Sequence, residues 1–399
     1  MPFFNPYRRS YISDPYPSLH RLRDEASVFR SPEFQAWIVT THDDCADVLR
    51  DHQRFSSSPL DSEGEVATQL QKQSDQVSTG EARALVRMDP PEHTRVRQSL
   101  NRAFTPRAVA GLRPFIERTV GELLDRAERG QPFELMAGLT EPLPVAVVME
   151  MMRVPAEDRG RLTEWATAIQ QGRVDTERDP EMLAAAQAGQ EELTEYFTDA
   201  LNDPGSLHPE GLLAALPQAE ALTPAERIKT ALDVAMGGNN STAFMLGNGV
   251  LALIAHKDQA EELRSHPELL PGAVDEMLRF DSPNQIIMRF ATADTTLGGK
   301  DVATGDAIFL LVGAANRDPA QFPSPDRFDV RRENPHRHLS FGRGPHYCMG
   351  MPLLREQANA AIKGVLERFD ELRFGGGGLV RGGTLSFRGP KRLSIAGPA

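Results

Sequence analysis

Apolar residues recur every three to four positions through most of the chain, and strand-like alternation is confined to short pieces. From Met351 to Phe369, Leu353, Leu354, Ala361, Val365 and Leu366 fall on one face of a helix. The same spacing predicts helices over Asp43–Asp51, His93–Phe104, Val109–Arg129, Pro144–Met152, Ala156–Gln171, Glu181–Leu201, Gln259–Arg264 and Glu268–Phe280. Thr223-Pro224-Ala225-Glu226 reads as a capping box with proline at the first helical position. It opens a single long helix running to His256. Strand-like pieces cover Ala36–Thr40, Ile286–Phe290, Thr296–Leu297 and Ala307–Val312, and Phe369–Arg373 and Leu385–Phe387 also read as extended. Ser56–Glu81 is polar and rich in Ser and Gln, which predicts a loop. The expected fold class is mainly α with a minor β region.

Composition narrows the class. At 399 residues, length alone suggests two or three domains. A hydrophobic content of 40% and a charged content of 25% are those of an ordinary globule. A formal net charge of -12 disfavours non-specific nucleic-acid binding. Cys45 and Cys348 are far apart and form no Cys-x-x-Cys, which argues against a disulfide framework, a zinc ribbon or an iron–sulfur cluster and fits a reducing cytoplasm. Met1–Asp14 has no long apolar run, so neither a signal peptide nor a membrane anchor is expected there.

The candidate chemistry centres on Phe341-Gly342-Arg343-Gly344-Pro345-His346-Tyr347-Cys348-Met349-Gly350. A glycine-rich loop delivers Cys348 to the start of the last helix. There the macrodipole and free backbone N–H groups favour the thiolate, the form that binds metal. Glycine on either side lets backbone approach a flat ligand closely. Glu276-Met277-Leu278-Arg279 puts a carboxylate and a guanidinium on one helix face. His93 and Arg97 are one turn apart, and Arg289, His338 and His346 are further candidate cationic donors.

The ten-residue string resembles the haem-binding loop of the cytochromes P450. The resemblance extends to Glu276-x-x-Arg279, to His93-x-x-x-Arg97 and to His338-Leu339-Ser340-Phe341-Gly342. It implies one cytochrome P450 domain over residues 1–399, haem b (iron protoporphyrin IX) as cofactor, and Cys348 as its axial ligand. Phe341, Gly342 and Gly350 would shape the haem loop, and His93, Arg97, Arg289, His338 and His346 would hold the propionates. Arg327 would complete a buried charge triad with Glu276 and Arg279.

The implied activity is insertion of one oxygen atom from O2 into a small to medium, moderately apolar organic substrate. By the resemblance, Leu232, Met236, Gly237, Asn284, Ile286, Ile287 and Leu385 would wall the pocket with the Ser56–Glu81 loop. Electrons would come from a separate ferredoxin or flavodoxin with a reductase. Arg331, Arg332, Arg337, Arg343, Arg102 and Arg107 could offer such a partner a basic face. The chain is expected to be a cytoplasmic, bacterial-type monomer that binds neither nucleic acid nor membrane. One segment departs from the family pattern. Where the family carries an acid and an alcohol mid-helix, Ala235-Met236-Gly237-Gly238-Asn239-Asn240-Ser241-Thr242 offers Asn240 and Ser241, or Thr242 in a register shifted by one. Because a carboxamide does not titrate, a haem-thiolate enzyme of other chemistry is the alternative: peroxygenase, oxidative coupling or isomerisation.

Overall fold

A computed structural model describes residues 2–59, 66–68, 82–174 and 179–398. Most of the predicted Ser56–Glu81 loop lies outside the described residues. The principal helices are α1 (Tyr16–Glu25), α2 (His42–Arg50), α3 (Glu92–Leu100), α4 (Pro106–Leu124), α5 (Pro142–Met152), α6 (Arg159–Val174) and α7 (Pro180–Asn202). They continue with α8 (Pro224–Met236), α9 (Asn239–Ala255), α10 (Lys257–Ser265), α11 (Leu270–Phe280) and α12 (Met351–Arg368). The mainly helical expectation holds, with a minor sheet region. No helix among the described residues is long and apolar enough to cross a membrane.

Local sequence explains where these helices start. Thr105 accepts the Ala108 N–H and Pro106 follows it, a cap that opens α4. Thr223 and Glu226 exchange the two hydrogen bonds of a capping box at α8. Every residue of α9 from Thr242 to Leu253 is buried, so this helix forms the centre of the largest apolar cluster.

One prediction is overturned here. The single helix expected from 224 to 256 is two helices, α8 and α9, parted at Gly237 and Gly238. Gly237 is extended (φ -70°, ψ 129°) and Gly238 is left-handed (φ 85°). A side chain at Gly237 would bring its Cβ to 2.5 Å from the Asp233 carbonyl oxygen. Two adjacent glycines remove the side-chain penalty that holds most helices to one course.

Five strands form a sheet in the order β1 (Val28–Ser31), β2 (Ala36–Val39), β8 (Ala307–Leu311), β5 (Ile286–Ala291) and β3 (Phe55–Ser56). β2 and β8 are parallel, whereas β5 and β8 are antiparallel with Ile287 opposite Leu310. A second sheet joins β4 (Phe133–Glu134), β10 (Arg388–Ile395) and β9 (Phe374–Gly383), and β6 (Thr295–Leu297) with β7 (Lys300–Val302) makes a hairpin. The segment Leu385–Phe387, expected to be extended, lies in the turn between β9 and β10, where Phe387 bridges to Asn284. β9 begins at Phe374, after the Phe369–Arg373 segment expected to be extended. Six of its ten residues are glycine, so its sequence carries no alternating pattern to read.

Candidate active site

Cys348 sits three residues before α12, with Gly350 at the N-cap. Its backbone N–H donates to the Phe341 carbonyl (2.9 Å), closing the loop on itself. Gly342 and Gly344 take left-handed φ of 69° and 68°. At Gly344 a Cβ would fall 2.6 Å from the Leu49 carbonyl oxygen, so glycine lets the loop seat against the end of α2. The Cys348 side chain is accessible, yet protein surrounds it closely enough that burial dominates and raises its thiol pKa. The Gly350 and Met351 amides and the Arg97 guanidinium pull the other way. The expected preference for thiolate is therefore present as a set of donors that burial outweighs in the free protein.

Four of the five expected cationic residues converge. The His93 and His346 rings lie 4.2 Å apart between centroids. Arg97 Nη2 donates to the Tyr347 carbonyl at 2.6 Å. Arg289 is buried on β5 and donates to the Met288 carbonyl. Burial, followed by the Arg97 charge and with a smaller push from Arg289, lowers His93 to about 4. Burial, then Arg289, His93 and Arg97, lowers His346 to about 3. Burial lowers Arg289 to about 10. Asp89 opposes the shifts on His93 and Arg289, but its carboxylate is engaged by Ser56 and by the Ser57 N–H. His93 Nδ1 and His346 Nε2 are buried without a hydrogen-bond partner among the described residues.

His338 does not join that group. The Ser340 N–H donates to its Nδ1 at 3.1 Å, so the neutral ring carries its proton on Nε2. Nε2 lies 3.6 Å from Asp275 Oδ1, the same carboxylate that Arg355 grips at 2.8 and 3.0 Å through Nη2. At that distance Nε2 makes no hydrogen bond, and among the described residues it is another buried ring nitrogen without a partner. Asp275 and Arg355 escaped sequence reading because each resembles an ordinary charged helix position.

The charge triad also differs from expectation. Arg279 Nε and Nη2 bind Glu276 Oε2 and Oε1 at 2.6 and 2.8 Å, both residues fully buried. The third member is Arg332, whose Nε is 3.0 Å from Glu276 Oε2 and whose side chain is 7% exposed. The Arg327 side chain is 69% exposed, and only its carbonyl oxygen serves the cluster, accepting from Arg279 and Arg332. Arg332 is thereby removed from the basic face in which it was expected. Arg331 is likewise engaged, by Glu262.

At the helix break, Asn239 is fully buried and its Nδ2 donates to the Ala235 carbonyl at 2.9 Å, bridging the gap by side chain. The Thr242 N–H donates to the Gly238 carbonyl at 2.9 Å, and Ser241 Oγ donates to the same oxygen at 3.3 Å. Asn240 is half-buried and Thr242 is buried. Leu232 and Met236 pack into the main apolar cluster, and Gly237 is exposed.

The remaining pocket residues divide by strand alternation. Ile286 and Phe290 pack with Phe4, Leu19 and Phe309 on one face of the sheet, where Leu385 also packs. Ile287 packs on the opposite face with Leu49, Phe55 and Leu310, and Arg289 follows it by the two-residue period. Ile286 is therefore turned away from the Arg289 side, contrary to its expected place in the pocket wall. Asn284 Nδ2 donates to the Ser340 carbonyl at 3.4 Å.

Among the described residues no group of three or more His, Cys, Asp or Glu side chains could hold a metal ion alone. A porphyrin iron needs only one protein ligand, because the macrocycle supplies the rest. The residues present fit such a group. An accessible sulfur has amide donors aimed at it, and beside it lie buried, carboxylate-poor donors suited to two propionates.

Comparison with known proteins agrees. The family model described as cytochrome P450 matches residues 206–373, a span containing Glu276, Arg279 and Cys348. The polyketide biosynthesis cytochrome P450 PksS of Bacillus subtilis (strain 168) is 32% identical over 382 residues, covering 92% of this chain and 92% of that protein. The cytochrome P450 monooxygenase PikC of Streptomyces venezuelae is 34% identical over 381 residues, covering 91% of this chain and 86% of that protein. The epothilone D-bound structure of cytochrome P450epoK aligns with a TM-score of 0.88 at 29% identity, over 99% of each chain. The chain belongs to the cytochrome P450 family. Its activity is that of a P450-type oxidoreductase, and membership implies a haem held through a cysteine thiolate.

Proposed function

We propose that this protein is a haem-thiolate monooxygenase that inserts one oxygen atom of O2 into a small to medium, moderately apolar substrate. The observation that carries the reading is the cluster of His93, Arg97, Arg289 and His346, buried beside Cys348 with no ion-paired carboxylate among the described residues. Such a cluster is costly unless an anion joins it. When bound, the haem supplies dioxygen activation and the oxidising power to attack a C–H bond.

The protein's own residues do the rest. Cys348 would hold the haem iron through its sulfur, whose charge the Gly350 and Met351 amides favour. His93, Arg97, Arg289 and His346 would hold the propionates. At the break between α8 and α9, the Ser241 hydroxyl and the Asn240 carboxamide can orient water, with Thr242 next along the helix. Only a hydroxyl or water can pass a proton there, because Asn240 does not titrate. Ile287, Asn284, Leu232, Met236 and Gly237 mix apolar surface with an amide, which supports an apolar substrate bearing a polar handle. The polyketide and epothilone D in the relatives' names support the same chemistry.

Electrons come from a ferredoxin or flavodoxin with its reductase, docked on a face that includes Arg102, Arg107, Arg337 and Arg343. We read the chain as a cytoplasmic monomer of one domain, with neither nucleic acid nor membrane as a partner. Asn240 favours one second reading, peroxide-driven or other non-standard haem-thiolate chemistry.

A carbon-monoxide difference spectrum of the reduced protein tests the haem-thiolate assignment. The thiolate-type band is expected, and an imidazole-type band would overturn it. Product formation with ferredoxin and reductase, set against peroxide alone, separates the two readings. Asn240→Asp is expected to raise coupling of electron use to product, and Ser241→Ala to lower it.

A further inference from the structure

We propose that Arg355, anchored by Asp275, is a positioning residue that holds the amide donors of the axial sulfur in place and so sets the reduction potential of the iron. The inference rests on the haem-thiolate reading above. Arg355 lies seven positions after Cys348 on α12, and all three nitrogens of its planar fork make contacts. Nε and Nη2 bind Asp275 Oδ1 at 3.1 and 2.8 Å, and Nη2 also reaches Oδ2 at 3.0 Å. Nη1 turns back one helical turn to the Met351 sulfur at 2.9 Å. The guanidinium carbon stands 5.8 Å from the Phe341 ring centroid.

Both contacts lead to Cys348. The Met351 N–H donates to the Cys348 carbonyl oxygen at 3.5 Å, and this amide is one of the two that lower the thiol pKa. Phe341 accepts the Cys348 N–H through its carbonyl oxygen at 2.9 Å. The arginine therefore pins the first turn of α12 and the start of the haem loop to one carboxylate. That carboxylate belongs to α11, the helix that carries the fully buried Glu276–Arg279 pair. A donor set fixed to such an anchor cannot drift from the sulfur without breaking a bidentate ion pair.

Amide hydrogen bonds withdraw electron density from a thiolate and favour the reduced iron. Loosening them should shift the midpoint to more negative values. Asp275 gives a discriminating variant, because direct electrostatics predicts the opposite sign. Removing a negative charge near the iron would on its own move the midpoint positive, whereas Asp275→Asn weakens the anchor and by positioning moves it negative.

The experiment is spectroelectrochemical titration of the holoprotein and its D275N, R355K and M351L variants, together with the C–O stretch of each ferrous carbonyl complex. A negative midpoint shift and a lowered C–O stretch are expected in all three. R355K keeps the charge and M351L keeps the volume, so a variant that fails to fold leaves two others to decide. A positive or absent shift in D275N, with wild-type stretch in R355K and M351L, overturns the proposal. If the wild-type carbonyl complex lacks a thiolate-type band, it is the haem-thiolate reading that fails.

Discussion

Arg332 Nε lies 3.0 Å from Glu276 Oε2, on a carboxylate that Arg279 already holds through two hydrogen bonds. Arg332 also donates to the Pro323, Ser324 and Arg327 carbonyls, so it ties the 323–332 loop to α11. Breaking a buried pair by removing one partner costs about 3–5 kcal/mol. Glu276→Gln and Arg332→Ala should each destabilise on that scale in denaturant unfolding. Arg327→Ala should change stability by less than about 0.5 kcal/mol, since its side chain projects into solvent. Equal losses at Arg327 and Arg332 would contradict this assignment of the triad.

The break between α8 and α9 predicts a sign difference between glycines. Gly238 is left-handed at φ 85°, and a side chain there costs about 1–2 kcal/mol. Gly238→Ala should lower the melting temperature. Gly111 lies inside α4, and a Cβ added there would meet nothing within 4 Å. Gly111→Ala should therefore stabilise by about 0.5–1 kcal/mol. Thermal unfolding of the two variants side by side checks both signs.

Strand alternation separates two adjacent isoleucines. Ile286 is packed against Phe290 and Phe309, and truncation to alanine should cost about 2–4 kcal/mol of stability. Ligand-induced changes in the haem spectrum should be preserved in that variant. Ile287, on the Arg289 side and only half-buried, should behave the other way round. Its alanine variant should alter the ligand dissociation constant with little loss of stability. Spectral titration and denaturant unfolding on the same preparations make the comparison.

Glu226 gives a pH dependence of known sign. Hydrogen bonds from Arg95, then the Thr223 cap, lower its carboxyl to about 2 from the usual 4.5. The folded state therefore binds fewer protons than the unfolded state between those values. The stabilisation is fully present above pH 4.5 and is lost as pH falls from 4.5 through about 2. Arg95 is partly solvent-exposed, so screening limits the pair to about 1 kcal/mol. Glu226→Gln should flatten the acid limb of the stability–pH curve, as followed by circular dichroism.

The helical framework and the haem loop could be read from sequence because both write local patterns. The spacing of Leu353, Leu354, Ala361 and Val365 gives α12, and Thr223 with Glu226 marks where α8 begins. Gly237 and Gly238 are visible too, but a glycine pair does not announce whether the chain bends or simply packs closely. Arg332 and Arg327 are both arginines in the same loop, and nothing local tells which one folds back onto α11. β9 is invisible because glycine strands have no faces. Asp275 and Arg355 are 80 positions apart, and such a pairing exists only once α11 and α12 have packed together.

The two halves of the central span are moored to different parts of the molecule. On α8, Glu226 holds Arg95, and Asp233 accepts the Leu85 N–H at 3.0 Å, so this half is fastened to the chain around α3. On α9, Asn248 reaches the Asp281 and Arg388 carbonyls at 3.1 Å each, fastening the other half to α11 and β10. Gly237 and Gly238 stand at the seam. A displacement of the 82–100 region by an arriving ligand would be absorbed at that joint, leaving the scaffold beyond it undisturbed.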